Sequence, residues 1–151
     1  MTTPVIHPLD SDRTCSIKEI AYGLIDCWNR MDFHTAYQTF YAQDAVKVEP
    51  TAIGDYPNEI RGLETLMAQE DSIQQEIMET HQIYIAEGPF IGASGFSIVI
   101  KSDFTHRATG TRHIFREVGI FTVEDGKIVR EEFQYDEAEH QLATVLANES
   151  A

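Results

Sequence analysis

The stretch that decides the fold is GTRHIFREVGIFTVEDGKIVREEFQY, residues 110–135. Two runs of alternating apolar and polar residues flank the dipeptide Asp125-Gly126, which is a strong signal for a β-hairpin. A type I turn at Glu124-Asp125, with Gly126 in the left-handed bulge position, would fix the strand pairing. The predicted register pairs Val123 with Lys127, Phe121 with Val129, Gly119 with Glu131 and Glu117 with Phe133.

The two faces of this predicted hairpin indicate a pocket. One face carries Glu117, Phe121, Val129, Glu131, Phe133 and Tyr135. The opposite face carries Arg116, Val118, Ile120 and Ile128. A carboxylate on a mostly apolar face is either paired with a basic group or has a catalytic role. We therefore expect the first face to line a pocket and the second to pack against another subunit in a two-fold homodimer.

Length and composition limit the class of function. The chain has 151 residues, 42% hydrophobic and 24% charged, as in ordinary globular domains. The formal net charge of −14 argues against nucleic-acid binding, which needs clustered Lys and Arg. No apolar run is long enough to span a membrane, and residues 1–8 lack the features of a signal peptide. We expect a cytoplasmic protein with neither nucleic-acid nor membrane partners, in which Cys15 and Cys27 form no disulfide framework.

The order of predicted elements indicates an α+β fold. Residues 1–14 are predicted to form a flexible N-terminal arm, followed by one domain over residues 15–151. Helices are predicted to begin at Ser16 with a capping box to Glu19, at Asp32, after Gly62, and at Asp136 with Glu139 three residues on. Strands are predicted over residues 44–49, 80–86 (ended by Gly88-Pro89), 92–104 and the two hairpin runs. A strongly curved, mostly antiparallel sheet around the helices would form a cone whose open end holds a central pocket.

Four motifs, in a fixed order, carry a family resemblance. They are WNRMDF at residues 28–33 continuing to Phe40, DAV at 44–46, IRG at 60–62 and VEDGKI at 123–128. Together they resemble the NTF2-like (cystatin-like) superfamily, and within it the SnoaL-like and ketosteroid-isomerase-like proteins, over residues 16–147. The resemblance implies the cone fold, a homodimer, and a function among those of isomerases, polyketide cyclases, epoxide hydrolases, dehydratases or non-catalytic binders.

Comparison with the ketosteroid isomerases implies a general base at Glu49, the acid directly before Pro50. The positions that match their oxyanion-hole tyrosine and aspartic acid hold Leu24 and Gly119. Because a base without such donors loses most of its effect, steroid isomerisation is not expected. SnoaL-like cyclases place an aspartate near the end of the last strand, and Asp136 either matches it or is simply a helix N-cap.

Three glutamates are candidates for acid–base catalysis from the sequence itself, without the family resemblance. Glu49 is either a base in the cavity mouth, with a pKa raised by burial, or a solvated residue at a strand end. Glu117 and Glu131 share a face, where two carboxyls can act as acid and base. The alternative is that they are solvated or paired with nearby arginines in a structural network.

Two further candidates lie on the middle strands. His81 can titrate near neutrality. Asp103 and His113 would lie opposite each other if Thr105 meets Thr111, and such a pair either orients an imidazole or is a surface contact. The histidines lack the close spacing of a metal site, and no glycine pattern fits a nucleotide, so we expect neither metal nor cofactor.

The sequence thus predicts a protein that binds a small apolar or semi-polar molecule in a conical pocket. As an enzyme, it would use the glutamates for cofactor-free acid–base chemistry of the isomerase, cyclase, dehydratase or hydrolase type. The alternative is a non-catalytic binding or accessory module of the same fold. An acid inside the cavity that lies near a donor and is not paired with arginine or lysine would favour the enzyme.

Overall fold

The computed structural model describes residues 14–149. In chain order the elements are α1 (Ile17–Asn29), α2 (Phe33–Phe40), β1 (Tyr41–Val48), β2 (Glu59–Arg61), α3 (Leu63–Ser72), a π-helical turn (Ile73–Ile77), β3 (Met78–Ile91), β4 (Gly95–His106), β5 (Arg112–Glu124), β6 (Lys127–Gln134) and α4 (Glu137–Glu149). This is the predicted α+β order. The arm predicted over residues 1–14 lies outside the described residues apart from Thr14. None of the helices within this described range is long and apolar enough to cross a membrane.

The six strands form one sheet in the order β2-β1-β6-β5-β4-β3. Neighbouring strands are antiparallel, except that β1 and β6 run parallel. Register breaks interrupt the β1–β6, β3–β4 and β5–β6 pairs, and bulges of this kind bend a strand and increase its twist. The sheet therefore curves around the helices, as the cone prediction requires.

The predicted hairpin at Asp125-Gly126 is present, but its turn is of a different type. Glu124 pairs with Lys127, so the loop has two residues, and Asp125 and Gly126 have φ angles of 51° and 73°. Positive φ at both central positions defines a type I′ turn, whose twist matches that of the flanking strands. The predicted type I turn with a three-residue loop is wrong.

A bulge at Val129 nevertheless restores the predicted inner face of the hairpin. The observed pairs are Val123–Ile128, Thr122–Arg130, Phe121–Glu131 and Gly119–Phe133. The turn shifts the predicted register by one residue and the bulge shifts it by one more, so side chains beyond the bulge return to the predicted side. Glu131 and Phe133 are buried, whereas Ile128, predicted on the outer face, is fully buried in place of Val129.

The first two helices begin at their predicted caps. Ser16 Oγ accepts a hydrogen bond from the Glu19 backbone N–H at 3.1 Å, and Glu19 Oε1 accepts one from the Ser16 N–H at 3.3 Å. Asp32 Oδ1 accepts from the Thr35 N–H at 3.3 Å. The buried sides of both helices pack against the inner sheet face in one core cluster, which includes Ile20, Leu24, Trp28, Phe40, Ile98, Ile100, Phe121 and Phe133. This packing holds α1 and α2 against the concave side of the sheet.

Three element boundaries differ from the predicted ones. Gly88-Pro89 does not end β3, because Glu87 and Phe90 on either side of it both pair with β4 and the dipeptide forms a bulge. The short strand β2 is not among the predicted strands. Strand β1 begins at Tyr41, three residues before the predicted start at residue 44.

The last helix covers one end of the sheet. Asp136 is its N-cap, since Asp136 Oδ1 accepts a hydrogen bond from the Glu139 N–H at 2.9 Å. Leu146 is buried and packs with Phe104 of β4, whereas Val145 is 47% exposed. The helix thereby places apolar side chains against this end of the sheet.

Candidate functional site

The inner sheet face and the helices enclose a cavity of about 160 Å³. Every helix, and every strand except β2, contributes at least one residue to its wall. The aromatic lining residues are Trp28, Phe33, Tyr37, Phe115, Phe133 and Tyr135. The charged lining residues are Lys47, Glu49, Glu70, Glu117 and Glu131. The cavity is thus an apolar space with a concentrated set of carboxyl groups on its wall.

Glu131 of β6 is the most deeply buried of these acids, with 1% of its surface exposed. Its Oε1 accepts a hydrogen bond from the Tyr41 hydroxyl at 2.8 Å. Its Oε2 is buried and has no hydrogen-bond partner among residues 14–149. Burial raises the pKa of this carboxyl to about 7, while Lys47 and the Tyr41 hydrogen bond oppose the rise. One oxygen of Glu131 is therefore held in place and the other remains available.

Lys47 and Glu49 form a buried ion pair at the end of β1. The Lys47 Nζ lies 3.6 Å from Glu49 Oε1 and 5.5 Å from the centre of the Phe133 ring. Burial lowers the pKa of Lys47, but the surrounding glutamates outweigh burial and the net pKa is raised, so the side chain stays cationic. Burial raises the pKa of Glu49 although Lys47 opposes the rise. The carboxyl predicted as a base thus lies in the cavity, but paired.

Glu117 and Glu70 complete the acidic wall from opposite sides, β5 and α3. Burial raises the pKa of Glu117 well above its usual value, and the neighbouring Glu49 adds to the effect. Burial also raises the pKa of Glu70, with Lys47 opposing it. No ion pair joins Glu117 or Glu131 to an arginine or lysine within the described part of the chain. The arginine-paired alternative for Glu117 and Glu131 therefore does not hold.

The other two predicted site residues, His81 and Asp103, do not line the cavity. Asp103 is held by Arg112, whose Nε and Nη2 donate to the two carboxylate oxygens at 2.8 and 2.7 Å. This hydrogen-bonded pair lowers the Asp103 pKa. His81 Nε2 lies 2.7 Å from the Thr105 hydroxyl. These contacts are on the outer face of the sheet.

The predicted pairing of Asp103 with His113 is wrong. Thr105 pairs with Arg112, one residue away from the predicted Thr111, so Asp103 faces Ile114. A shift of one residue turns a side chain to the opposite face. His113 instead lies against the Phe104 ring, with 5.5 Å between ring centres. The structure therefore supplies no His–Asp pair at this position.

Sequence reasoning missed three parts of this site: Lys47, Glu70 and Tyr41. Lys47 is two residues before Glu49 on a strand, so placing Glu49 in the cavity should have placed Lys47 there as well. Glu70 falls in the apolar stripe of α3, where an acid is an anomaly that indicates a function. Tyr41 gave no such signal, because its contact with Glu131 spans 90 residues of sequence.

The family model for the SnoaL-like domain matches residues 15–135. The chain belongs to the SnoaL-like family. A Mesorhizobium loti structure, a candidate SnoaL-like polyketide cyclase, is 32% identical to this SnoaL-like chain, with a TM-score of 0.71 over 80% of this chain and 100% of that one. The predicted family and fold are confirmed.

Two more distant structures share the fold of this SnoaL-like protein. An NTF2-like protein from Burkholderia thailandensis is 18% identical, with a TM-score of 0.69 over 83% of this chain and 94% of that one. A Catenulispora acidiphila protein with a ketosteroid-isomerase-like fold, solved in complex with trimethylamine, is 12% identical, with a TM-score of 0.65 over 86% of this chain and 95% of that one. Among curated proteins, no sequence matches the chain.

Proposed function

We propose that the cavity binds a small, largely apolar molecule and that its glutamates catalyse proton transfer on that molecule without a cofactor. The observation that carries this proposal is Glu131, a buried carboxyl with one oxygen fixed by Tyr41 and the other unpartnered at the cavity wall. A general acid or base is most effective when its pKa lies near the working pH, and burial brings Glu131 to about 7.

Glu117 and Glu131 take complementary roles in this proposal. The pKa of Glu117 is raised well above the usual value, so this carboxyl is the proton donor. Glu131, titrating near neutrality, is the base, and the Tyr41 hydroxyl supports its ionised form. Two carboxyls whose environments separate their pKa values can move a proton from one position of a substrate to another. Isomerisation, cyclisation, dehydration and hydrolysis all need such a step.

The names of the relatives agree with this class of chemistry. The Mesorhizobium loti protein is named as a candidate polyketide cyclase, and cyclisation of a polyketide involves proton removal next to a carbonyl. Leu24 and Gly119 supply no side-chain donor, which keeps steroid isomerisation outside the proposal. Glu49 remains a candidate base if a ligand separates it from Lys47. We leave His81 and Asp103 out of the mechanism because they lie on the outer sheet face.

The non-catalytic alternative is favoured by the ion pair between Lys47 and Glu49. A lysine in the middle of an acidic wall can hold a ligand in place and does not require turnover. In either case we propose that residues 15–151 act as one cytoplasmic domain.

We also propose a homodimer that packs through the outer sheet face. Tyr84, Ile114 and Ile120 are 48%, 58% and 40% exposed on this face. None of these three side chains lines the cavity, and neither does a residue paired with them, such as Lys101 opposite Tyr84. They therefore lie on the face of the sheet that points away from the cavity. An exposed apolar sheet face of this kind is typical of a protein interface.

A panel of small molecules, screened by thermal shift, tests binding, because a ligand that prefers the folded state raises Tm. Hits that contain a carbonyl group are then incubated in D₂O, and NMR follows deuterium entering the adjacent carbon. We expect Glu131→Gln to abolish this exchange and to retain binding. The matched control is Glu132→Gln, which changes the adjacent residue, paired with Arg130 at 3.0 Å.

Four outcomes separate the alternatives. Exchange by the wild type that is lost only in Glu131→Gln supports the enzyme. Binding without exchange supports the non-catalytic module. A broad panel that leaves Tm unchanged contradicts the binding function itself, and exchange that persists in Glu131→Gln removes Glu131 from the mechanism.

A further inference from the structure

The charges on the cavity wall do not balance. Glu49, Glu70, Glu117 and Glu131 face a space in which Lys47 is the one basic side chain among the described lining residues. Lys47 is already paired with Glu49, since its Nζ lies 3.6 Å from Glu49 Oε1. Taking an ionised carboxyl out of water without a partner is costly, so buried charges are normally paired. In their ionised forms these acids therefore outnumber the basic groups among the described residues of the cavity wall.

One of these acids offers a vacant hydrogen-bonding position. Glu131 is 1% exposed, and its Oε2 has no hydrogen-bond partner within residues 14–149 although its Oε1 is bonded to Tyr41. Buried polar atoms in native proteins are rarely left without a partner. Because Glu131 also lines the cavity, a donor carried by a ligand is the group that would satisfy this oxygen.

The aromatic part of the wall suits a cation. Ring faces attract an ammonium group, and the cavity is lined by Trp28, Phe33, Tyr37, Phe133 and Tyr135. Lys47 already shows the effect, since its ammonium lies 5.5 Å from the Phe133 ring centre and 3.6 Å from a carboxylate oxygen. The same cavity wall also carries other aromatic rings and the carboxyl groups of Glu70, Glu117 and Glu131.

From the unbalanced charge, the vacant carboxylate oxygen and the aromatic wall, we infer that the ligand is a small organic amine, bound as its ammonium with an apolar body. This inference rests on the binding part of the proposed function and specifies the chemical class of the ligand in the same cavity. An anionic ligand would face four carboxyl groups with one lysine to offset them. A neutral acceptor such as a ketone would accept a hydrogen bond from protonated Glu117, but it would supply no donor for Oε2 of Glu131.

Proton exchange on binding separates these ligand classes. In the empty cavity burial raises the pKa of Glu131 to about 7, so near pH 7 the carboxyl is part-protonated. An ammonium next to Glu131 favours its ionised form and releases a proton, whereas a neutral acceptor or an anion favours the protonated form and takes one up. Glu49, Glu70 and Glu117 face Glu131 in the same cavity, and the charge of the ligand changes their protonation in the same direction as that of Glu131.

Three probes with the same body and different charge test the inference: benzylamine, benzyl alcohol and benzoate. A single ring fits, since a cavity of about 150 Å³ can hold benzene. We expect benzylamine to bind at least about 10-fold more tightly than benzyl alcohol at pH 7, because a charge-assisted hydrogen bond is about twice as strong as a neutral one. Calorimetry in two buffers of different ionisation enthalpy, neither an organic cation, should show release of about half a proton or more.

Two variants test whether Glu131 is the residue responsible for the preference for benzylamine. In Glu131→Gln we expect the preference for benzylamine to fall to within about 3-fold and proton release to decrease, since the charged partner is removed while the shape is kept. Glu132→Gln should keep the wild-type preference. If Glu131→Gln does not fold, the affinity ratio of the three probes and the direction of proton exchange, both measured on the wild type, test the inference without any variant.

The inference and the proposed function fail in different ways. Equal affinity for benzylamine and benzyl alcohol, or tighter binding of benzoate, overturns the amine and leaves a binding cavity in place. Proton uptake with benzylamine also overturns it. If none of the three probes binds while other members of the wider panel raise Tm, the ligand is not an aromatic amine and the inference is rejected, whereas the binding function stands.

Discussion

At the scale of single residues, Glu131 combines features that rarely occur together. It is buried, one of its oxygens is bonded to Tyr41, and the other is unsatisfied within the described residues. An unsatisfied buried polar atom in a native structure indicates either strain or function. Burial of this carboxyl should therefore lower the free energy of unfolding by a measurable amount, and that amount should depend on pH.

Replacing Glu131 by Gln should flatten the dependence of stability on pH. The folded pKa of about 7 lies above the unfolded value of 4.5, so the folded state keeps this proton where the unfolded chain loses it. The stability from this group is fully present below pH 4.5 and is lost as the pH rises through 7. Over that window the wild type should lose roughly 3 kcal/mol more than Glu131→Gln, as measured by urea unfolding at each pH.

Glu132→Gln is the control for this comparison, and it should follow the wild-type curve. Parallel curves for the wild type and Glu131→Gln would show that Glu131 titrates equally in the folded and unfolded chain, contrary to its burial.

Tyr41→Phe should destabilise the protein more at high pH than at low pH. The hydroxyl donates to Glu131 at 2.8 Å, and a hydrogen bond to an ionised carboxylate is stronger than one to the neutral acid. We expect a loss of about 2 kcal/mol at pH 8 and about 1 kcal/mol at pH 5, by urea unfolding. Tyr37→Phe is the matched control, since its ring is tilted against that of Tyr41 with 4.7 Å between ring centres, and no described hydrogen bond joins its hydroxyl to Glu131. An equal cost at both pH values would contradict the role given to this bond.

At the scale of elements, the sequence predicted those features that depend on neighbouring residues. The caps at Ser16, Asp32 and Asp136 all form as predicted, because a capping bond joins residues two or three apart. The hairpin was predicted for the same reason. The turn type was not, because Asp-Gly is compatible with both the type I and type I′ geometries.

The bulge at Val129 could not be predicted from the hairpin alone. Its effect is to bring Glu131 back to the inner face after the two-residue turn has shifted the register. Nothing in the local sequence distinguishes Val129 from Ile128 as the extra residue. What decides it is the burial of Ile128 against the helices, which is a tertiary effect.

Gly126→Ala should cost more stability than Gly110→Ala. Both glycines have positive φ, 73° and 72°, so an alanine is strained at either site. A Cβ at Gly126 would meet Thr14 Cγ2 at 2.5 Å, whereas at Gly110 it would meet nothing within 4 Å. We expect losses of about 1 kcal/mol at Gly110 and about 2 kcal/mol or more at Gly126, by urea unfolding. Equal losses would mean that Thr14 and Cys15, just before α1, do not pack against the β5–β6 turn.

At the scale of the whole molecule, the site is assembled from parts that lie far apart in sequence. The resemblance to the SnoaL-like proteins gave the fold and the existence of a cavity, and alternation along the strands placed Glu117 and Glu131 on its wall. The position of Glu70 depends on how α3 meets the sheet, whereas that of Lys47 follows from alternation along the same strand once Glu49 is placed. The predicted Asp103–His113 pair failed because the β4–β5 register differs by one residue, which puts His113 on the face opposite Asp103.

Ile120→Asp should convert the proposed dimer into a monomer. Ile120 lies on the outer sheet face and is 40% exposed, and a charge in an apolar interface is strongly unfavourable. We expect light scattering after gel filtration to give twice the chain mass for the wild type and the chain mass for Ile120→Asp. Val145→Asp, at an exposed position on α4, should remain dimeric. A monomeric wild type, or a dimer unaffected by Ile120→Asp, would contradict this interface.

The most direct test of the account is an NMR titration of the wild-type protein with carbon-13 at the glutamate carboxyl groups. Comparison with Glu131→Gln assigns the Glu131 signal. The account predicts that this signal titrates with a midpoint of about 7, because the carboxyl is buried in the cavity wall and lacks a cationic partner in contact with it. A midpoint near 4.5, the ordinary value for a glutamate, would contradict a buried, proton-exchanging acid in the cavity.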